Sequence, residues 1–266
     1  MPQLNLSDFE LHYEVYGDGE PLLLIPGFAG GAWMWARQVA PLATKFRVIT
    51  FDPRGIGQSS FGSQPLTMKL LADDLSALLR ELRIEQAHIL GASFGGFVGQ
   101  EFALAYPEST QTLALCCTSF GGPNHVAPAM EILTALAWMS DLNDEDQIRR
   151  SLAMGFSADF VRDQADRIEE IVRLRMANTV MEEAYRSQLM AAVSFNAEPR
   201  VAAIKAPTLV LTGDADVVVP KQNSHNLAAR IPGAELRSIA GGCHLFFIEQ
   251  ADEFNSVVID FIERWS

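Results

Sequence analysis

Cysteine is scarce in this chain. The three present, Cys116, Cys117 and Cys243, are odd in number and show no C-x-x-C spacing. That argues against a disulfide framework and against a cysteine-built zinc site. Cys116 and Cys117 lie in the apolar run LALCC and read as buried free thiols. Positive charge is also short: 20 Lys and Arg face 33 Asp and Glu, for a formal charge of −13. Such a balance opposes phosphate backbones and anionic membrane surfaces, so neither nucleic acid nor membrane is an expected partner. A local arginine could still hold a small anionic substrate. No uninterrupted apolar run approaches 18 residues, so no transmembrane helix is expected. The stretch MPQLNLSDFELHYEVYGDGE has no basic region leading into an apolar one, and the expected location is cytoplasmic. GASFGG lacks the G-x-G-x-x-G spacing and there is no P-loop lysine, against a nucleotide-dependent oxidoreductase. Repeats and low-complexity segments are absent too.

What is present is an ordinary globular composition, 48% hydrophobic and 20% charged over 266 residues. That suffices for a sizeable core, as one large domain or a domain carrying an insertion. FELHYEVYG alternates, and PLLLIPG is a continuous apolar run closed by Pro and Gly, as in a strand buried on both faces. FRVITFDPRG, AHILGAS, QTLALCC, APTLVLTGD and AELRSIAG read as further strands. Helical stretches separate them: AWMWARQVAPLA, MKLLADDLSALLRELR, FGGFVGQEFALAYP up to Pro107, KQNSHNLAARI and the closing ADEFNSVVIDFIERW. This alternation predicts an α/β fold, a mostly parallel central sheet with helices on both faces. It stops over residues 120–199, where APAMEILTALAWM, DEDQIRRSLAMG, ADFVRDQADRIEEIVRLRM and MEEAYRSQLMAAVS are all helical. The expected organisation is a core of residues 1–119 and 200–266 with an all-helical cap of residues 120–199. The cap holds 13 acidic residues against 7 arginines and reads as a solvated helical face rather than an anion trap.

HILGASFGGFVG, residues 88–99, places Ser93 between Gly91 and Gly95 in the pattern G-x-S-x-G. By composition alone that pattern arises about 0.1 times in a chain this long, so context decides. Ser93 falls where a buried strand gives way to a helix, and in open parallel sheets ligands bind beyond the carboxyl ends of strands. A sharp turn there exposes the hydroxyl, and glycine two residues to either side avoids a collision. The N–H groups that open the following helix favour an oxyanion. Serine also needs a base, and the base needs a group to orient it. Among five histidines, His12, His88 and His225 read as structural or surface residues, and His125 stands at the cap entrance within reach of substrate. His244, in IAGGCHLFFIEQ after the last strand, is the expected base. LTGDADVVVP offers Asp214 and Asp216 directly after another buried strand, one of them a solvated turn residue.

Together DPRGIGQS, GASFGG, PTLVLTGDADVVVP and GGCHLFFIEQADEF resemble the motifs of the α/β-hydrolase superfamily, in its form with an inserted helical cap. The likeness runs nearly end to end. It implies a triad in the chain order Ser93, Asp216, His244, since the acid of G-x-x-D-x-x-x-P falls on Asp216. It also implies an oxyanion hole from the backbone N–H groups of Phe28 and Phe94. In IPGFAGG, Pro26 replaces the family's usual histidine, so that loop lacks its customary hydrogen bonds, although the N–H at 28 can still point inward. Arg54 is expected to tie its own loop.

Dehalogenase and epoxide-hydrolase relatives would carry aspartate in place of Ser93, so serine implies acyl transfer. The expected enzyme is a carboxylesterase or lactonase for small to medium, largely apolar substrates, with no cofactor and no metal. Expected pocket walls are Phe28, Trp33, Phe94, Phe120, Trp138 and Met139. C–C bond hydrolases and cofactor-free perhydrolases or haloperoxidases share this triad. Leu245 follows the base where C–C hydrolases often place Trp, which weighs against that class. The alternative of another kind is a signalling protein that binds an effector and turns it over slowly. A homodimer is compatible with the chain.

Overall fold

A computed structural model describes residues 3–6, 8–137 and 142–266. The strands are β1 (Gln3–Asn5), β2 (Glu10–Tyr16), β3 (Glu20–Ile25), β4 (Phe46–Phe51), β5 (Ala87–Ala92), β6 (Thr110–Cys116), β7 (Thr208–Gly213) and β8 (Glu235–Ile239). They form one sheet in the order β1-β2-β4-β3-β5-β6-β7-β8. The β1–β2 and β2–β4 pairs are antiparallel, and all the others are parallel. The continuous apolar runs become the central strands: β5 and β7 are buried along their whole length, as strands covered on both faces must be.

Alternate residues feed two cores. Leu23, Ile25, Ile49 and Ile89 face α2 (Met68–Glu81), α3 (Phe94–Ala105) and α9 (Gln222–Arg230). Leu22, Leu24, Val48 and Leu90 face α1 (Val39–Leu42), α10 (Phe246–Glu249) and α11 (Ala251–Ile262). In α2, Thr67 caps the start by accepting the Leu70 N–H at 3.0 Å, and Leu71, Leu75, Leu78 and Leu79 fall on the buried side at helical spacing.

Between β6 and β7 the described residues contain no strand. They form α4 (Met130–Ala137), α5 (Glu145–Ala153), α6 (Ala158–Asp163), α7 (Ala165–Ala177) and α8 (Glu182–Ser194). An isolated bridge, Ile56 with Val180, ties this segment to the rest just before α8, and a second, Gly121 with Asn196, joins the segment's own two ends.

Two expected helices differ. AWMWARQVAPLA is a 3-10 turn over Ala32–Trp35 followed by the single-turn α1. Trp35 sinks fully into the core against Phe247, and the Gln38 side chain donates to the Phe247 carbonyl, which draws the chain off a helical path. Pro41 has no N–H with which to prolong it. ADFVRDQADRIEEIVRLRM is two helices, α6 and α7, parted at Gln164, whose φ of −118° and ψ of 43° are not helical. Cys116 and Cys117 are buried and free, as expected.

Candidate active site

Ser93 stands between β5 and α3 at φ 53°, ψ −116°, a strained conformation for a residue with a side chain. The surroundings over-determine it. Its N–H donates to the Cys116 carbonyl at 2.8 Å, and its carbonyl accepts from Thr118 Oγ1 at 2.8 Å and the Gly96 N–H at 2.9 Å. The flanking glycines are steric requirements. A Cβ at 91 would sit 2.3 Å from the Gly95 carbonyl oxygen, and one at 95 would sit 2.2 Å from that of Ile25.

His244 reaches Ser93 from the loop after β8, with Nε2 3.1 Å from Oγ. Its Nδ1 lies 2.8 Å from Asp216 Oδ2. A carboxylate can only accept, so Nδ1 carries the proton and Nε2 turns its lone pair toward the serine hydroxyl. The buried Asp216 is fixed in turn by the Val218 and Val219 N–H groups, each 2.8 Å from Oδ1. Asp214, by contrast, is exposed and accepts the Gly241 N–H at 2.7 Å. Of the two aspartates, Asp216 is the one in contact with His244. The acid and base loops are joined by the Ala215 N–H, which donates to the Gly242 carbonyl at 3.0 Å.

The backbone N–H groups of Phe28 and Phe94 have no hydrogen-bond partner among the described residues. The loop carrying Phe28 is held without help from position 26. Gly30 N–H donates to the Gly27 carbonyl at 3.1 Å, Ala32 N–H to Asp52 Oδ1 at 2.9 Å, and Ala29 N–H to Gln188 Oε1 at 2.9 Å.

Ser93 and His244 open onto a cavity of about 500 Å³, whose walls include Phe28, Trp33, Phe94, His125, Leu245 and Phe247. Phe120 is a correction. It is fully buried in the core, its ring under the Arg230 guanidinium at 4.6 Å, and does not border the cavity. The apolar environment that suggested a pocket wall is that of the sheet core. Trp138 and Met139 lie outside the described residues. His12, His88 and His225 are absent from the cavity wall. His88 is enclosed between Thr112 and Glu20, and burial holds its pKa below the usual imidazole value. Arg54 pairs with Asp74 at 2.7 Å and Asp8 at 3.0 Å and lies over the Phe9 ring, tying its loop to α2.

Three residues of the inserted segment were not singled out in advance. Tyr185 packs edge-on against Phe28, with ring centroids 4.6 Å apart, and Gln188 holds Ala29. Arg175 supplies the only Lys or Arg among the cavity-lining residues. It is buried, donates to the carbonyls of Asn178 at 2.8 Å and Leu142 at 2.7 Å, and has no carboxylate partner among the described residues. Burial lowers its pKa to about 10, which leaves it cationic at neutral pH. A signal existed: Arg175 falls on the same face of α7 as the buried Ile171 and Val172. No cluster of three metal-ligating side chains occurs among the described residues.

Fold and site together define the class. The chain belongs to the α/β-hydrolase family, whose model, described as the alpha/beta hydrolase fold, matches residues 20–251. Several of the proteins it resembles are described as hydrolases. Over 261 residues it is 28% identical to RutD of Azorhizobium caulinodans, named as a candidate carbamate hydrolase, covering 98% of each chain. Among solved structures, the enol-lactonase of Burkholderia xenovorans superposes with a TM-score of 0.87 at 27% identity, over 98% of this chain and 100% of that one. Est816, described as an N-acyl homoserine lactone degrading enzyme, superposes with a TM-score of 0.81 at 26% identity, over 98% and 100%. No helix among the described residues is long and apolar enough to cross a membrane.

Proposed function

We propose that this chain is a serine hydrolase that cleaves carboxylic esters or lactones of small to medium, largely apolar substrates through an acyl-enzyme. The observation that carries the reading is the hydrogen-bonded line Asp216–His244–Ser93, at 2.8 and 3.1 Å, opening onto a mostly apolar cavity. His244 Nε2 takes the Ser93 proton as Oγ attacks the substrate carbonyl. The resulting oxyanion rests on the N–H groups of Phe28 and Phe94. His244 then protonates the leaving oxygen, which departs from an ester or stays tethered in a lactone. Water, deprotonated by His244, next attacks the Ser93 ester, and collapse releases the acid and restores the hydroxyl. Asp216 stabilises the imidazolium in both halves. Residues 120–199 act as the cap over this site. Within it, Arg175 favours an acyl group whose far end is polar or anionic.

Carbamate cleavage is the second reading, favoured by the full-length similarity to RutD. The test is steady-state hydrolysis of p-nitrophenyl esters of rising chain length, an ester with a terminal carboxylate, lactones and an aryl carbamate. Wild type and Ser93→Ala are compared throughout. The expected result is turnover falling by at least about 10³-fold in the variant. Activity that survives Ser93→Ala would remove this mechanism, and a preference for the carbamate would select the second reading.

A further inference from the structure

The Phe28 N–H can hold an oxyanion only while the turn of residues 27–30 keeps one shape, and a single hydrogen bond of its own closes that turn. Ala29 sits at φ 51°, a region that side-chain-bearing residues rarely occupy. Pro26 offers no polar side chain. The Gly30–Gly27 hydrogen bond closes the turn, and the Asp52 contact to Ala32 holds the chain just beyond it. Among the described residues only Gln188 reaches the Ala29 N–H, from α8, a separation of 159 residues. We propose that Gln188 is a positioning residue for the oxyanion hole, so that a helix of the inserted segment completes machinery otherwise built by the core. This rests on the serine-hydrolase reading above.

Burial supports it. Gln188 is completely enclosed, and its Nε2 has no hydrogen-bond partner among the described residues. An unpaired buried amide group is costly, so the side chain that would fit best on packing alone is an apolar one. What the glutamine adds is its acceptor oxygen, and that oxygen is spent on Ala29. Tyr185, one turn earlier on α8, seats its ring on Phe28. α8 is itself fixed at both ends. Met181 N–H donates to the Gly55 carbonyl at 3.0 Å, and Ala197 N–H donates to that of Phe120 at 2.8 Å. A helix anchored this way can hold a turn in place.

The test compares Gln188→Met, which keeps length but has no acceptor oxygen, with Gln188→Glu, which keeps an acceptor. On p-nitrophenyl butyrate, Gln188→Met lowers kcat about ten- to hundredfold with KM within about threefold. Affinity for butylboronic acid, which forms a tetrahedral adduct, falls by the same factor, whereas affinity for butyrate does not. Gln188→Glu restores both. Unchanged kcat in Gln188→Met, a loss confined to KM, or a Glu variant as poor as the Met variant would each overturn the proposal. Should Gln188→Met not fold, amide exchange at Ala29 in the wild type decides: protection supports the contact, and exchange at the rate of an open loop refutes it. The two levels separate cleanly. An active Ser93→Ala sinks the serine mechanism, while an inactive Ser93→Ala beside a fully active Gln188→Met sinks only the positioning role.

Discussion

Ser93 is held where its backbone is strained because two segments fix it with three hydrogen bonds: the end of β6 and the loop after it, through Cys116 and Thr118, and α3 through Gly96. The two aspartates after β7 make the matching test at the residue scale. Asp216→Asn keeps the shape but can donate to Nδ1, which presents the wrong tautomer to Ser93. It should lower kcat by about 10⁴-fold. Asp214→Asn, on an exposed turn, should stay within about twofold. Ester kinetics on the two variants read this directly, and equal losses would contradict the assignment. Ser93, Asp216 and His244, the residues of the proposed triad, could be singled out because each belongs to a short motif at a strand end. Gln188 could not, since a glutamine in a polar helix looks like a solvated one until the packing partner is known, and Arg175 carried only the faint mark of sharing a face with Ile171 and Val172. Phe120 misled for the opposite reason: an apolar residue beside a site reads the same whether it faces cavity or core.

The element that matters most is the unit β5–turn–α3, and two glycines in it should respond oppositely to alanine. Gly95→Ala drives a Cβ to 2.2 Å from the Ile25 carbonyl oxygen and should cost at least ~1–3 kcal/mol. At Gly99 the nearest atom is Leu113 Cδ1 at 3.5 Å. Gly99→Ala should therefore be neutral or stabilising by up to ~1 kcal/mol through helix propensity. Urea unfolding of both variants measures this, and a tolerated Gly95→Ala would refute the steric account.

The same unit contains a pH dependence. Burial depresses the His88 pKa in the folded chain, against the weaker pull of Glu20. The unfolded chain, with an ordinary imidazole pKa of about 6.5, therefore takes up the proton first. Between that value and the lower folded one, unfolding is favoured as pH falls, so stability drops from about pH 6.5 downward. Melting temperatures from pH 7 to 5.5 should decline in the wild type and decline less in His88→Gln. A slope unaffected by that substitution would locate the effect elsewhere. Central strands and α2 were legible from periodicity. The broken helix at residues 32–42 was not, because Trp35 and Gln38 answer to Phe247, far along the chain.

At the scale of the whole molecule, alternation of strand and helix made the layered core readable, and its interruption made the helices between β6 and β7 readable. Their docking was not, because Gln188–Ala29 and Val180–Ile56 join residues far apart in sequence that carry no mark of each other. The central claim is a nucleophilic serine activated across three strand ends, and covalent capture tests it most directly. The wild-type protein would be treated with a fluorophosphonate, weighed intact, and mapped by peptide mass spectrometry. The account predicts one adduct per chain, on Ser93, absent from Ser93→Ala and much slower to form in His244→Ala. An adduct on another residue, or a wild type that hydrolyses esters yet takes no label, would contradict it.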